Sequence, residues 1–327
     1  AKLLLTPTSR NLVRVFFLQT RMKGLGKSVK FKPKRVHVIG AGVMGGDIAS
    51  WCALRGMQVT LQDRGPEYIA PAIKRAHKLY KRKLKKPRLV QAAMDRLMPD
   101  PEGRGAEHAD VVIEAIFENL EAKQALYKSL EAVMKPDAIL ATNTSSIPLD
   151  ELNTVLKNPE RLVGIHFFNP VSQMQLVEVV KGEKTDAKIV EQATAFVRKI
   201  SRLPLPVKSS PGFLVNRVLM PYLMECVTML EEGVPGPVID NAATDFGMPM
   251  GPVELADTVG LDVCLSVAEN LAGHYGGTVP ENLKAMVKKG DLGRKTGQGY
   301  YKYNNGKPVK PQVQGQTAVA NVTERLI

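Results

Sequence analysis

Residues Lys34–Asp63, KRVHVIGAGVMGGDIASWCALRGMQVTLQD, carry the pattern from which the fold of this chain is read. Val36, Val38 and Ile39 make a short apolar run with the character of a buried strand. Gly40, Gly42 and Gly45 follow in GxGxxG spacing, at the point where that strand would feed a helix. Each glycine serves a separate purpose. Gly40 permits a tight turn, Gly42 removes a side chain where a pyrophosphate would sit at the helix N-terminus, and Gly45 lets helix and strand pack closely. A second apolar run, Val59–Leu61, ends in Asp63, eighteen residues beyond Gly45, where a carboxylate accepts hydrogen bonds from an adenosine ribose. Strand, glycine loop, helix, strand and acid in this order predict a dinucleotide-binding βαβ unit. Asp63 would repel a 2′-phosphate and so favours NAD over NADP; Arg64 beside it is the one discordant residue.

Outward from this unit, short apolar runs alternate with helical stretches from Lys34 to about Ser209. Strands are expected at Val36–Ile39, Val59–Leu61, Val111–Glu114, Ala138–Thr142, Leu162–His166 and Leu176–Val180. That alternation predicts an α/β, Rossmann-type doubly wound sheet. After Ser210-Pro211-Gly212 the texture changes. Phe213, Val215, Leu219, Leu223, Val227 and Leu230 recur at helix spacing, which predicts an all-α C-terminal domain. The expected organisation is an inter-domain linker helix over 1–30, a nucleotide-binding domain over 31–210 and a helical domain over 211–310. Over 311–327 a Lys/Pro/Gln-rich linker leads into what reads as the start of a truncated second helical repeat. Both termini are therefore expected to be cuts within a longer polypeptide.

A chain of 327 residues with 44% hydrophobic content can bury a sizeable core. Cys52, Cys226 and Cys264 lie far apart in apolar helical patterns, which predicts reduced, buried thiols in a reducing compartment. Cys and His show no metal-ligand spacing, so no metal is expected. No apolar run approaches the roughly 18 residues of a membrane-spanning helix. The net charge of +13 is unevenly spread: residues 1–35 contain no acid, and Lys74–Arg96 contain only Asp95. The second cluster fits a substrate bearing several phosphates, RNA, or a solvated helical face. The first resembles a mitochondrial presequence in composition. Its apolar residues, Leu12, Val13, Val15, Phe16, Phe17, Leu18, Met22 and Leu25, cover most faces, however, which better suits a helix buried between domains.

Two segments carry the chemistry. ILATNTSSIPLDEL places Asn143, Thr144, Ser145 and Ser146 just past an apolar strand, where ligands sit on open α/β sheets. The plainer reading of this cluster is a helix cap through Ser146 or Asp150. LVGIHFFNPVSQMQLVEVV puts His166 at a strand end and Glu178 on the following strand, with Phe167, Phe168 and Pro170 expected to shield them from water. An acid beside a histidine fixes its tautomer and stabilises the imidazolium once the ring has taken a proton.

In this order and spacing GxGxMG, VIEAIFEN, NTSS, HFFNP, LVEVV and PGFLVNR resemble the L-3-hydroxyacyl-CoA dehydrogenase family, over Lys34 to about Lys307. NLVRVFFLQTRMKG resembles the linker that follows the enoyl-CoA hydratase domain in multifunctional β-oxidation proteins, and VTERLI the beginning of their second helical repeat. The resemblance implies NAD-dependent oxidation of (S)-3-hydroxyacyl-CoA to 3-ketoacyl-CoA, with His166 as general base and Glu178 as its partner. It implies that Ser145 and Asn216 hydrogen-bond the substrate oxygen. It adds Met44, Glu118, Lys123, Ser145 and Asn169 to Gly40, Gly42, Gly45 and Asp63 as cofactor-binding residues, and Lys295 more weakly. It also assigns the Lys74–Arg96 hairpin to the CoA phosphates.

As partners the resemblance implies an acyl-CoA substrate, a hydratase domain in the parent chain, and self-association or pairing through Phe213–Leu230. It implies no specific nucleic acid and no membrane span. The expected location is the cytoplasm in a bacterium, or the mitochondrion or peroxisome in a eukaryote. Two rivals stand beside it. A β-hydroxyacid dehydrogenase would turn over free acids equally well, and a non-catalytic scaffold or RNA-binding fragment would not need all of His166, Glu178, Ser145 and Asn216.

Overall fold

A computed structural model describes residues 5–312 and 319–326. The chain divides into two compact units, Ala1–Ser209 and Ser210–Ile327. The first contains α1 (Pro7–Gly24), β1 (Arg35–Ile39), α2 (Val43–Leu54), β2 (Gln58–Gln62), α3 (Pro66–Leu84), α4 (Pro87–Met94), β3 (Leu97–Pro99) and β4 (Val111–Glu114). It continues with α5 (Leu120–Val133), β5 (Ile139–Thr142), a single turn α6 (Leu149–Leu152), β6 (Leu162–Phe167), β7 (Leu176–Lys181), α7 (Ala187–Lys199) and β8 (Leu203–Lys208).

The strands form one sheet in the order β3-β2-β1-β4-β5-β6-β7-β8. From β3 to β6 every pairing is parallel; β7 runs antiparallel to β6, and β8 parallel to β7. Every residue of β4, β5 and β6 is buried, as expected where helices cover both faces of a parallel sheet. The reversal of order between β1 and β4 is the switch point at which such sheets open a crevice for ligands. All six expected strands are present, and two edge strands join them. β3 is only three residues long. β8, LPLPVK, carries Pro204 and Pro206, which are tolerated because β8 is outermost and need not donate to a further strand.

The glycines of the first loop are held by close approach. Gly40 has φ +99°, and a Cβ there would lie 2.4 Å from the Ala115 carbonyl oxygen. A Cβ on Gly45 would lie 1.9 Å from the Gly40 oxygen, whereas one on Gly42 would meet nothing within 4 Å. Gly45 therefore answers to packing and Gly42 to open space beyond the turn.

The second unit contains α8 (Val215–Glu231), α9 (Gly236–Phe246), α10 (Pro252–Val259), α11 (Leu261–Tyr275) and α12 (Glu281–Lys289), the hairpin β9 (Lys302–Asn304) and β10 (Lys307–Val309), and α13 (Val319–Leu326). The small hairpin is an addition to the all-helical expectation. Its approach is pinned by the buried Asp257, which accepts the backbone N–H groups of Tyr300 and Tyr301, each at 2.9 Å. The helix expected near the C-terminus packs on α9 and α8: Val322 is 4% exposed, and Arg325 donates to Glu225 at 2.6 Å and to Glu232. Residues 313–318 and Ile327, on which parts of that expectation fall, lie outside the described residues.

One expectation is not met within this chain. α1 forms, capped by the Thr6 hydroxyl, but it buries no residue; Leu12, Phe16 and Phe17 are all more than 60% exposed. The three cysteines are buried and unpaired with one another, and burial lifts the Cys52 thiol to about 12.

The glycine geometry predicts that Gly45→Ala overpacks the α2–β1 contact and destabilises the chain by about 1–3 kcal/mol, while Gly42→Ala changes stability far less. Urea unfolding of the two variants beside the parent checks this, and equal losses would contradict it.

Candidate active site

The turn from β1 into α2 presents Gly42 and Val43 to solvent at the C-terminal edge of the sheet, with Met44 half-buried against the core behind them. α2 begins at Val43 with Gly42 as its N-cap and no side-chain cap, so its first backbone N–H groups are available to an anion. At the end of β2, Asp63 closes on the loop: Oδ2 accepts from Ala41 N at 2.7 Å and Oδ1 from Arg64 N at 2.7 Å. Each oxygen keeps a further lone pair for another donor. The Arg64 guanidinium sits 4.7 Å over the Tyr68 ring. Open space at Gly42, an uncapped helix N-terminus and a fixed acid at the next strand fit a dinucleotide pyrophosphate and ribose.

Beside this loop lies a buried network that the sequence reading caught only in part. Glu114, the last residue of β4, is fully buried. Its Oε1 takes the Lys123 ammonium at 2.6 Å and Ile116 N at 2.8 Å, and its Oε2 takes Tyr127 Oη at 2.8 Å and Thr142 Oγ1 at 2.7 Å. Lys123 and Tyr127 are one helical turn apart on α5, which aims both at the same carboxylate. The Lys123 side chain is 1% exposed and also reaches Glu118 at 3.1 Å. Glu118 in turn gathers the loop after β5, accepting from Thr144 Oγ1, Ser145 N (3.0 Å), Ser146 N (3.2 Å) and Ser146 Oγ (3.0 Å). Partial burial works against its charge, but Lys123 and these donors prevail and hold the Glu118 carboxyl below its ordinary value.

Ser146 and Asp150 thus do not cap the short α6. Ser146 turns to Glu118, while the Asp150 carboxylate accepts from Glu183 N at 2.9 Å and α6 takes its cap from the Ser209 hydroxyl. Glu114 and Tyr127 were not among the expected site residues. The only sequence signal was an acid ending an otherwise apolar strand, followed by Lys and Tyr four residues apart.

The antiparallel turn between β6 and β7 sets His166 directly across from Glu178. Nδ1 lies 2.8 Å from Glu178 Oε2, with the side chains 7% and 0% exposed. Because a carboxylate only accepts, Nδ1 carries the proton and Nε2 is the ring's acceptor position. Phe168 tilts over the imidazole at a ring separation of 4.6 Å, and Phe167 is buried. Asn169 and Pro170, next in the turn, are themselves exposed. Asn143 Oδ1 accepts from Phe167 N at 2.9 Å, tying the NTSS loop to the end of β6. On the far side of the HFFNP turn, Arg202 donates to the Val171 carbonyl at 2.5 Å while its guanidinium lies 3.5 Å from the Trp51 ring. Burial lowers this guanidinium to about 10. Sequence reading had no signal for that arginine, which acts through a residue distant in the chain.

His166, Glu178, Ser145, Glu118, Lys123, Asp63 and the glycine loop all belong to the first unit. Asn216 and Lys295 belong to the second. Asn216 is half-buried in the first turn of α8, and Lys295 Nζ rests on the Asp262 carboxylate at 2.5 and 2.6 Å. In the basic hairpin two arginines have internal duties: Arg75 donates to the Gly42 carbonyl at 2.7 Å, and Arg96 to Ala53 O at 2.9 Å. Lys81, Arg82, Lys83, Lys85, Lys86 and Arg88 are exposed. Among the described residues no group of three or more His, Cys, Asp and Glu could hold a metal, and no helix is long and apolar enough to cross a membrane.

Lys123→Met leaves Glu114 buried without its counter-ion, and such losses cost about 3–5 kcal/mol. A correspondingly lower urea midpoint is expected. The depressed Glu118 carboxyl contributes stability at neutral pH that disappears as pH falls through its lowered folded-state value. Unfolding measured against pH should therefore show a shallower acid-side decline in the variant than in the parent; an unchanged decline would count against the coupling.

Two family models match this chain: the NAD binding domain of 3-hydroxyacyl-CoA dehydrogenase over residues 35–210, and the C-terminal domain of the same enzyme over 212–303. The fatty acid oxidation complex subunit alpha of Pseudomonas entomophila is 36% identical over 347 residues, covering 100% of this chain and 47% of the relative. The chain thus spans about half the length of the curated relatives it matches. Among solved structures, M. tuberculosis FadB2 superposes with a TM-score of 0.81 at 33% identity, covering 83% of this chain and 99% of that one. The 3-hydroxybutyryl-CoA dehydrogenase of Escherichia coli K12 gives 0.80 at 36% identity, covering 88% and 63%. With a glycine loop, a fixed acid and a buried His–Glu pair in one unit and both family models in register, the chain belongs to the NAD-dependent 3-hydroxyacyl-CoA dehydrogenase family.

Proposed function

We propose that this chain oxidises the hydroxyl of (S)-3-hydroxyacyl-CoA to the ketone, in the dehydrogenation step of fatty acid β-oxidation, with His166 as the general base. The observation that carries this reading is the buried His166–Glu178 pair at 2.8 Å, opposite each other in the β6–β7 register. Nε2 takes the hydroxyl proton and Glu178 stabilises the imidazolium that results. NAD, when bound, would supply the hydride acceptor for C3. Gly42 and the first N–H groups of α2 would seat its pyrophosphate in the turn that Gly40, Gly45 and Met44 shape, Asp63 would meet its adenosine ribose, and Glu118, Ser145 and Asn169 would complete the cofactor site. Lys123, almost wholly buried, would act by holding Glu118 in place. Ser145 and Asn216 would hydrogen-bond the substrate oxygen, and the exposed cations of Lys81–Arg88 would meet the CoA phosphates.

The relatives named for a fatty acid oxidation complex are longer than this chain and bacterial. We accordingly read this chain as the dehydrogenase portion of a multifunctional cytoplasmic polypeptide carrying a hydratase domain, with domain limits at 31–210 and 211–310. The linker helix and the helix near the C-terminus would be its joints to the rest. Pairing through α8 would rest on Leu214 and Val218, which are 44% and 69% exposed, because the remaining apolar residues of that stretch face inward or are partly covered. Val218→Lys should then lower the sedimenting mass of the parent chain, and a parent that sediments as a monomer would exclude such pairing.

NADH consumption with acetoacetyl-CoA tests the activity. His166→Gln should lower kcat by roughly 10² to 10⁴, with Glu178→Gln in the same direction, while NADH binding persists. Equal turnover of free acetoacetate would favour a hydroxyacid dehydrogenase, and full activity in His166→Gln would sink the assignment.

A further inference from the structure

The GxGxxG pattern is complete at Gly45, yet the chain places a further glycine, Gly46, directly after it. A Cβ on Gly46 would lie 2.7 Å from Ala72 Cβ and 2.7 Å from Arg75 Nη2, both on α3. The bare backbone therefore makes room for a guanidinium laid against the first turn of α2. Arg75 uses that room twice. Its Nη2 donates to the Gly42 carbonyl at 2.7 Å, and its Nε to Asp47 Oδ1 at 3.3 Å. Gly42 O also accepts from Gly46 N at 3.0 Å. Both lone pairs of that carbonyl are thus taken, which holds it along the helix and away from the open N-terminal end.

Asp47 is the residue for which this arrangement compensates. It stands four residues after Val43 on the same face of α2, one turn from the uncapped N–H groups. A carboxylate there draws on the same positive helix end that a pyrophosphate uses, and it repels a second anion. Partial burial raises the Asp47 carboxyl against the opposing pull of Arg75, the cation paired with it.

We propose that Arg75 is a positioning residue for the dinucleotide: by neutralising Asp47 and bracing the Gly42 turn, it leaves the positive end of α2 to the pyrophosphate. This rests on the seating of the pyrophosphate at α2 given above. Arg75 lies within the basic Lys74–Arg96 stretch, but this duty separates it from the exposed cations assigned to CoA. Without its guanidinium, the Asp47 charge opposes the bound anion from about one helical turn away, which at a partly exposed site is worth roughly tenfold in affinity.

Titration of NADH fluorescence reads the dissociation constant without turnover, in Arg75→Met, Asp47→Asn and the double variant. Arg75→Met should weaken NADH about tenfold. Asp47→Asn should tighten it severalfold, because Arg75 then faces the anion unopposed, and the double variant should recover most of the loss. These differences should shrink at high salt. A double variant as weak as Arg75→Met would overturn the proposal, since a merely structural clamp between α2 and α3 is not repaired by removing Asp47. So would a raised KM for acetoacetyl-CoA with NADH affinity unmoved, which would return Arg75 to the CoA phosphates. If Arg75→Met does not fold, Asp47→Asn decides, and affinity that does not increase overturns the proposal. Gly42→Val tells the two readings apart, because its side chain fills the open space at the turn. If it too leaves NADH binding unmoved, the pyrophosphate seat itself is wrong; if it abolishes binding while the Arg75 and Asp47 variants are silent, only the role of Arg75 falls.

Discussion

The carboxylate of Glu114, buried at the end of a central strand, is the constraint from which the order of the candidate site follows. A charge taken out of water costs several kcal/mol unless it is closely compensated, and here four donors from three segments converge on it. Meeting that demand fixes α5 through Lys123 and Tyr127 and β5 through Thr142. The ammonium that neutralises Glu114 then draws in Glu118, whose remaining capacity collects the backbone of the Asn143–Ser146 loop. Asn143 passes the registration on to the end of β6 at Phe167, next to His166. A polar chain of contacts thus runs from the middle of the sheet to the imidazole, each link satisfied by the next, which is the condition under which buried polar networks rigidify a site.

The second constraint is the reversal of strand direction after β6. Six parallel strands would place their side chains at one edge with no antiparallel neighbour across from His166. Because β7 returns antiparallel, Glu178 stands opposite it in register, and burial of both groups strengthens their interaction over what water would allow. The same reversal makes the outer edge of the sheet short of partners, and β8 closes it with a strand whose prolines suit an edge.

Much of this was legible beforehand, and the parts that were not share a cause. The glycine spacing, the acid at Asp63 and the six longer strands are local signals, since turn chemistry and side-chain periodicity are written within a few residues. Lys123 was read as a cofactor ligand because the motif carries it, yet its burial beside Glu114 depends on a strand and a helix meeting nine residues apart. Ser146 read equally well as a cap or a ligand, and its choice of Glu118 is a tertiary matter.

By itself the sequence determined the order of elements, the nucleotide-binding turn and the set of residue types able to do acid–base chemistry, because these depend on spacing along the chain. Only the tertiary structure decided which carboxylate pairs with which cation, that Glu178 faces His166 across a strand reversal, and that β3 and β8 complete the sheet. Those outcomes are set by burial and by partners supplied from elsewhere in the chain. The cost of leaving a polar group unpaired becomes large only once folding has excluded water from around it.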